Sequence, residues 1–180
     1  MKMTQAERLI LANQFELLSM RENNYISKET AKKYSKILLE GYELLYDDIF
    51  SGMNETISSE KCRFVIDILS MYRNISNSYR DLLEKNPDLS LTEEDIAFKG
   101  FDGNGEGEYN FAKFFIEDYD RFGDLVENKY MELNSHSSSS ISRYEKELEN
   151  YNKIIDDKKE KNKMNYLDLT EEEIKSILRI

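Results

Sequence analysis

Cysteine occurs once in this chain, at Cys62, so no internal disulfide can form and nothing argues for an oxidising compartment. Histidine also occurs once, at His136. That excludes a His-Glu-x-x-His zinc helix and the paired Glu-x-x-His motifs of a di-iron bundle. The Gly-x-x-x-x-Gly-Lys-Ser/Thr phosphate loop and the dinucleotide fingerprint are both missing, and no cofactor is indicated. Apolar runs are short. None approaches the roughly 20 residues of a membrane span, and Met1–Thr4 enters a helix start without the apolar core of a signal peptide. The expected location is cytoplasmic. Positive charge is in deficit, with 25 lysines and arginines against 36 carboxylates and a net charge of −11. Such a field repels nucleic-acid phosphates and anionic lipid, so neither nucleic acid nor membrane is an expected partner.

Helix breakers are scarce as well: Pro87 is the only proline and glycine occurs 7 times in 180 residues. Leucine, glutamate and lysine fill the space between breakers, which favours long helices. Thr4-Gln5-Ala6-Glu7 reads as a capping box that opens a helix to about Arg21. On a 100° wheel, Ala6, Leu9, Ile10, Leu11, Leu17, Leu18 and Met20 cover a very wide apolar arc. Asn13 falls inside it, so the helix is expected near the centre of the fold with a buried partner for Asn13. Ser27 caps a second helix to about Phe50, with Gly41 inside it as a kink or a close crossing. A third helix runs from Ser58 or Ser59 to about Leu83, with Phe64, Val65, Ile68, Met71, Tyr72, Ile75, Tyr79 and Leu82 on one face.

Asn86-Pro87-Asp88 ends that segment, Thr92 opens a short capped turn, and residues 96–101 are expected to be briefly extended. An aromatic helix is expected from about Tyr109 to Leu133, followed by a serine-rich connector. From Ile141 the apolar residues Tyr144, Leu148, Tyr151 and Ile155 follow at alternating spacings of three and four. That narrow seam suits either docking in a groove or pairing with a second helix. Thr170 caps a last short helix. The class expected is all-α: a single compact domain, 1–180, of about six or seven helices around a central N-terminal helix.

Individual residues carry little chemistry. His136 sits among serines and reads as an exposed loop residue. Cys62 lies at the margin of an apolar arc and reads as an inert thiol. Asp102, Asn104, Glu106 and Gly107 occupy positions 1, 3, 5 and 6 of a calcium loop, but position 12 is Lys113, whose charge opposes the ion. Asp67 falls on the polar side of its helix, four residues after Arg63. Lys28, Lys32 and Lys36, and the cluster Lys158, Lys159, Lys161 and Lys163, are interleaved with acids and read as solvated faces.

Several strings together resemble the YfbU family. Met3-Thr4-Gln5-Ala6-Glu7-Arg8-Leu9-Ile10-Leu11-Ala12-Asn13-Gln14 is similar to the opening of its members. Gly41-Tyr42, Cys62-Arg63, Ile66-Asp67-Ile68 and Met71-Tyr72 are similar to its middle, and Gly100-Phe101-Asp102 to its later turn. The likeness is strongest over 3–133 and thins after Leu133, leaving helices 141–180 to dock or to oligomerise. The resemblance implies an all-α fold without an established activity or assignable catalytic residues. Some members carry a small DNA-binding module, which implies that the shared domain senses a ligand or a partner. No such extra module is expected here, and the calcium spacing is not a family feature.

These observations converge on a non-enzymatic ligand-sensing or protein-interaction module. Its expected partners are a second copy, another protein or a small molecule. The alternatives are a hydrolase or transferase using a carboxylate with an arginine, and a regulatory nucleic-acid binder using the lysine stripe. The candidate binding residues are Arg8, Asn13, Gln14, Arg63, Asp67, Tyr72 and Asp102, the polar and amphipathic members of the family-like strings.

Overall fold

The computed structural model describes residues 2–22, 25–104, 107–127, 132, 134, 140–161 and 164–180. Nine α-helices and one 3-10 turn occur among them, so the class is all-α with more helices than expected. The chain divides into two compact units, Met1–Thr56 and Ile57–Ile180.

In the first unit, α1 (Gln5–Ser19) begins with the expected box. Thr4 Oγ1 accepts from the Glu7 backbone, and the Glu7 carboxylate accepts from the Thr4 backbone. Those bonds hold the Glu7 carboxyl below its ordinary pKa. The second helix, α2 (Lys28–Glu40), is capped by Ser27 but stops well short of Phe50. Gly41 is the reason. It adopts φ +73 and ends the helix instead of kinking it. A 3-10 turn over Glu43–Leu45 and the short α3 (Tyr46–Phe50) follow. Ala12, Ile37, Leu38 and Tyr46 form the buried core of this unit, with Leu11, Phe15, Tyr34 and Ile49 partly buried against it.

Gly41 serves a second purpose. The Arg8 guanidinium donates to the Leu38 carbonyl at 3.2 Å, tying α1 to the end of α2. A Cβ on residue 41 would lie 2.3 Å from Arg8 Nη1. Gly41→Ala is therefore expected to cost about 1–2 kcal/mol for the left-handed backbone alone. The displaced Arg8 bond adds to that. Urea unfolding of the variant should show a lower midpoint, and an unchanged midpoint would contradict this account.

The second unit is built on α4 (Ser59–Lys85), capped by Ser58 and ended before Pro87 as expected. Its apolar face meets α5 (Glu93–Ile96), α6 (Gly107–Glu117), α8 (Ser140–Glu160) and α9 (Glu171–Leu178). Thr92 and Thr170 open α5 and α9 with further capping boxes. Ile96, expected to be extended, is the last residue of α5; Ala97 is extended, and Phe101 forms a parallel bridge with Asn134.

The long aromatic helix is interrupted. After α6 the backbone turns at Asp120 and Phe122, both at positive φ, and resumes as α7 (Gly123–Glu127). Neither residue is glycine, but Gly123 follows directly and marks the interruption in the sequence. The seam from Ile141 docks within its own unit: Tyr144 and Ile155 are buried, and Ile141, Leu148 and Tyr151 pack beside them. Among the described residues, no helix is long and apolar enough to cross a membrane.

Candidate functional site

Helix α1 presents two different faces. Ala12 and Ser19 are buried, while Arg8, Leu11, Phe15 and Leu18 are partly buried on that same side. About half a turn away, Leu9, Ile10, Leu17 and Met20 are all more than half exposed, and Asn13 is exposed among them. The wide apolar arc is thus not enclosed, and Asn13 does not have the burial expected of it.

On the packed side, Phe15 meets Tyr34 edge-on with ring centroids 5.3 Å apart. These rings help to line a pocket of about 490 Å³, together with Leu11, Tyr25, Ile26, Ile49, Phe50 and Met53. Asp48, Ser51 and Gly52 complete its rim. Tyr34 Oη and Ser51 Oγ both donate to the Asp48 carbonyl, at 3.2 and 2.9 Å, so neither hydroxyl lies idle in an apolar wall. Few polar groups in an aromatic concavity are the usual composition of a small-molecule site.

The second unit holds the most unusual polar cluster. Glu147, on α8, is 2% exposed. It accepts a 2.7 Å hydrogen bond from Tyr72 Oη and forms a 3.4 Å ion pair with Arg143. Burial raises the Glu147 carboxyl above its ordinary pKa, against the opposing pull of Tyr72, Arg143 and Arg179. Tyr72 rises well above the usual tyrosine value, first by burial and then by the Glu147 charge. Arg143 also lies over the Tyr144 ring at 4.7 Å, and Tyr144 Oη donates to the Gly100 carbonyl at 2.8 Å. Burial likewise raises the Tyr144 hydroxyl. Gly100, at φ +81, turns the chain so that Phe98 and Phe101 enter the same core.

This carboxylate does not open onto the described cleft of the unit. That cleft, of about 480 Å³, is lined by Glu60, Lys61, Phe64, Gly107, Glu108, Ile141 and Glu145. Its principal polar contact is the 3.0 Å pair between exposed Lys61 and buried Glu108.

Of the seven candidate residues, Arg8, Asn13 and Gln14 belong to the first unit and Arg63, Asp67, Tyr72 and Asp102 to the second. Arg8 is a structural tie, and Gln14 is exposed on α1 with Asn13. Arg63 and Asp67 are exposed on α4, and no ion pair joins them among the described residues. Tyr72 alone enters the buried cluster. Asp102 Oδ1 accepts from the Asn104 backbone at 3.0 Å, and Gly103 N–H donates to the Asn134 side chain at 3.1 Å. The start of the calcium-like loop is thus bonded within the chain, and Lys113 pairs with Glu117 at 3.9 Å. Glu106 and His136 lie outside the described residues.

Lys158 corrects the expectation of a solvated charge run. It is buried, and its ammonium donates to the Asp168 carbonyl and pairs with Glu173 at the start of α9. Residue type alone conceals this, because the partners arrive only when the tail folds back over α8. Glu147 and Arg143 were likewise missed. Their signal was position: Glu147 lies three residues after Tyr144, on the edge of the seam.

The comparisons bear on the whole chain. UPF0304 protein MJECS11 of Methanocaldococcus jannaschii is 37% identical over 167 residues, which cover 88% of this chain and 95% of the relative. The YfbU domain model matches residues 1–180, so the likeness continues past Leu133. The chain belongs to the YfbU family.

Proposed function

We propose that this chain is a non-enzymatic binding module whose small-molecule site is the aromatic pocket of the first unit. The observation that carries the reading is the pocket itself: a concavity of about 490 Å³ whose walls include Phe15, Tyr25, Tyr34 and Phe50. Of its three wall hydroxyls, those of Tyr34 and Ser51 are already bonded to the Asp48 carbonyl. The ligand class is therefore compact, flat and largely apolar, held by stacking and by exclusion of water. A sensing role of the kind the family resemblance implies would use such a site. The hydrolase or transferase alternative needs a raised carboxylate in a cleft. Glu147 is raised but enclosed, and it does not line the described cleft of its unit.

Saturation-transfer NMR with indole as the probe tests the reading. Gly52 lines the pocket, and a Cβ added there meets nothing within 4 Å. Gly52→Phe should therefore block the pocket without disturbing the core. The expected result is transfer to indole from the wild-type chain, its loss in Gly52→Phe, and the same thermal midpoint in both. Transfer of equal strength in both chains, or none in the wild type, would remove the pocket as the site.

A further inference from the structure

The tie from Arg8 to the Leu38 carbonyl uses Nη1 and leaves most of the guanidinium's five N–H groups without a partner. Among the described residues no carboxylate pairs with it. The side chain lines a second concavity of the first unit, of about 560 Å³, together with Lys2, Met3, Glu40, Glu43 and Tyr46. None of these residues belongs to the aromatic pocket. Glu40 ends α2 and Glu43 opens the 3-10 turn, so the left-handed turn at Gly41 sets one carboxylate before it and one after it.

Tyr46 points independently to a ligand. It is 3% exposed and belongs to the core cluster of Ala12, Ile37 and Leu38, yet it also lines this concavity. No described residue hydrogen-bonds to its hydroxyl. Buried polar groups are nearly always partnered. A buried hydroxyl and a mostly unused guanidinium in one concavity together call for an acceptor.

We propose that this concavity binds a small zwitterion of the α-amino acid type, with its carboxylate on Arg8 and the Tyr46 hydroxyl and its ammonium on Glu40 and Glu43. Two cations and two carboxylates line the space, and among the described residues none of the four pairs with another. A simple anion would meet the two glutamates, and a simple amine would meet Arg8 and Lys2. A molecule that carries both charges answers all of them. Having no net charge, it is also not repelled by a chain of net charge −11. A guanidinium matches a carboxylate with two parallel bonds. The ammonium comes to the C-terminal end of α2, which is partly negative and whose last turn holds no basic residue. Met3, the flexible apolar member of the wall, suits an aliphatic side chain on the ligand.

The probes are the free L-amino acids, offered one at a time to the full chain and followed by saturation-transfer NMR and titration calorimetry. At least one is expected to bind with a millimolar or tighter Kd. Its methyl ester and its N-acetyl form should each bind at least tenfold more weakly, because each lacks one of the two charges. No binding by any amino acid, or equal binding by either blocked form or by inorganic phosphate, would overturn the proposal. Tyr46→Phe and Glu43→Gln should each weaken binding by about tenfold, the worth of one hydrogen bond to a charged group. Both should keep the wild-type urea midpoint, because neither removes a bond made within the fold. A lower midpoint for Tyr46→Phe would mean that the hydroxyl is satisfied internally, and full binding by both variants would put the ligand elsewhere; either result overturns the site. Gly52→Phe, which blocks the aromatic pocket, should leave amino-acid binding unchanged. An amino acid lost from Gly52→Phe and kept by Tyr46→Phe would belong to the aromatic pocket and not to this one.

Discussion

Phe98→Ala is expected to lower the stability of the second unit by about 3–5 kcal/mol, the cost of removing a large aromatic side chain from a packed core. Phe98 is fully buried. Its ring lies 5.2 Å from Tyr72, 5.2 Å from Tyr144 and 5.3 Å from Phe101, so three further rings border the space it would leave. None of them can simply collapse inward. Tyr72 is held by Glu147, and Tyr144 by the Gly100 carbonyl. Phe101 is fixed by its backbone bridge to Asn134. A site that relaxes poorly keeps its cavity, which places the loss toward the upper end of that range. Urea unfolding monitored by tyrosine fluorescence should show a lower midpoint with the same slope. Phe114, half exposed on α6, supplies the contrast: Phe114→Ala should change stability by less than about 0.5 kcal/mol. Equal losses for the two variants would show that the aromatic cluster is not the core of its unit.

What could be read in the sequence was local. The boxes at Thr4, Thr92 and Thr170 need only residues three apart, and all three form. The seam of α8 was legible for the same reason, but its partner was not. A narrow apolar row fits a groove in its own chain as well as a second chain, and here the core of Ile57–Ile180 covers it. Helix α1 packs its Ala12 side into the core and leaves Leu9, Ile10, Leu17 and Met20 exposed. Reading its two apolar faces as one arc produced the expectation of a central helix and a buried Asn13.

The misplaced boundaries share a different cause. Gly41 reads as a kink or a close crossing within a longer helix because the residues after it keep an apolar rhythm; it ends the helix instead, and Arg8 from another helix fills the space beside it. The break puts Asp120 and Phe122, neither of them glycine, at positive φ, although Gly123 beside them was a signal in the sequence. The candidate site depends on contacts distant in sequence. Residue type marked Tyr72, but its partner Glu147 looks like half of an exposed helical ion pair with Arg143 until the fold buries it.

That buried carboxylate gives the second large effect. Glu147→Ala removes the acceptor of the Tyr72 hydroxyl and the partner of Arg143. A stranded buried hydroxyl costs about 1–3 kcal/mol, and the emptied volume adds to the loss. Glu147→Gln behaves differently, because its amide oxygen still accepts from Tyr72 and does not titrate. In the wild type the folded-state pKa of Glu147 lies above its unfolded value. Both states are protonated at low pH, and the group then imposes no charge-burial cost. From about pH 4.3, the unperturbed glutamate value, the unfolded chain ionises first. It then holds fewer protons than the native chain, so stability falls as pH rises until the raised value is passed. Tyr72 from α4, Arg143 and Tyr144 from α8, and Arg179 beyond α9 surround the group. Of these, Tyr72 and the two arginines limit the rise, and the tyrosines stay protonated throughout the window. The stability of Glu147→Gln relative to the wild type should therefore grow with pH across that interval and then level off. Urea midpoints of the two chains at matched pH values measure it, and a difference that shrinks as pH rises would mean that the native site favours the charged carboxylate.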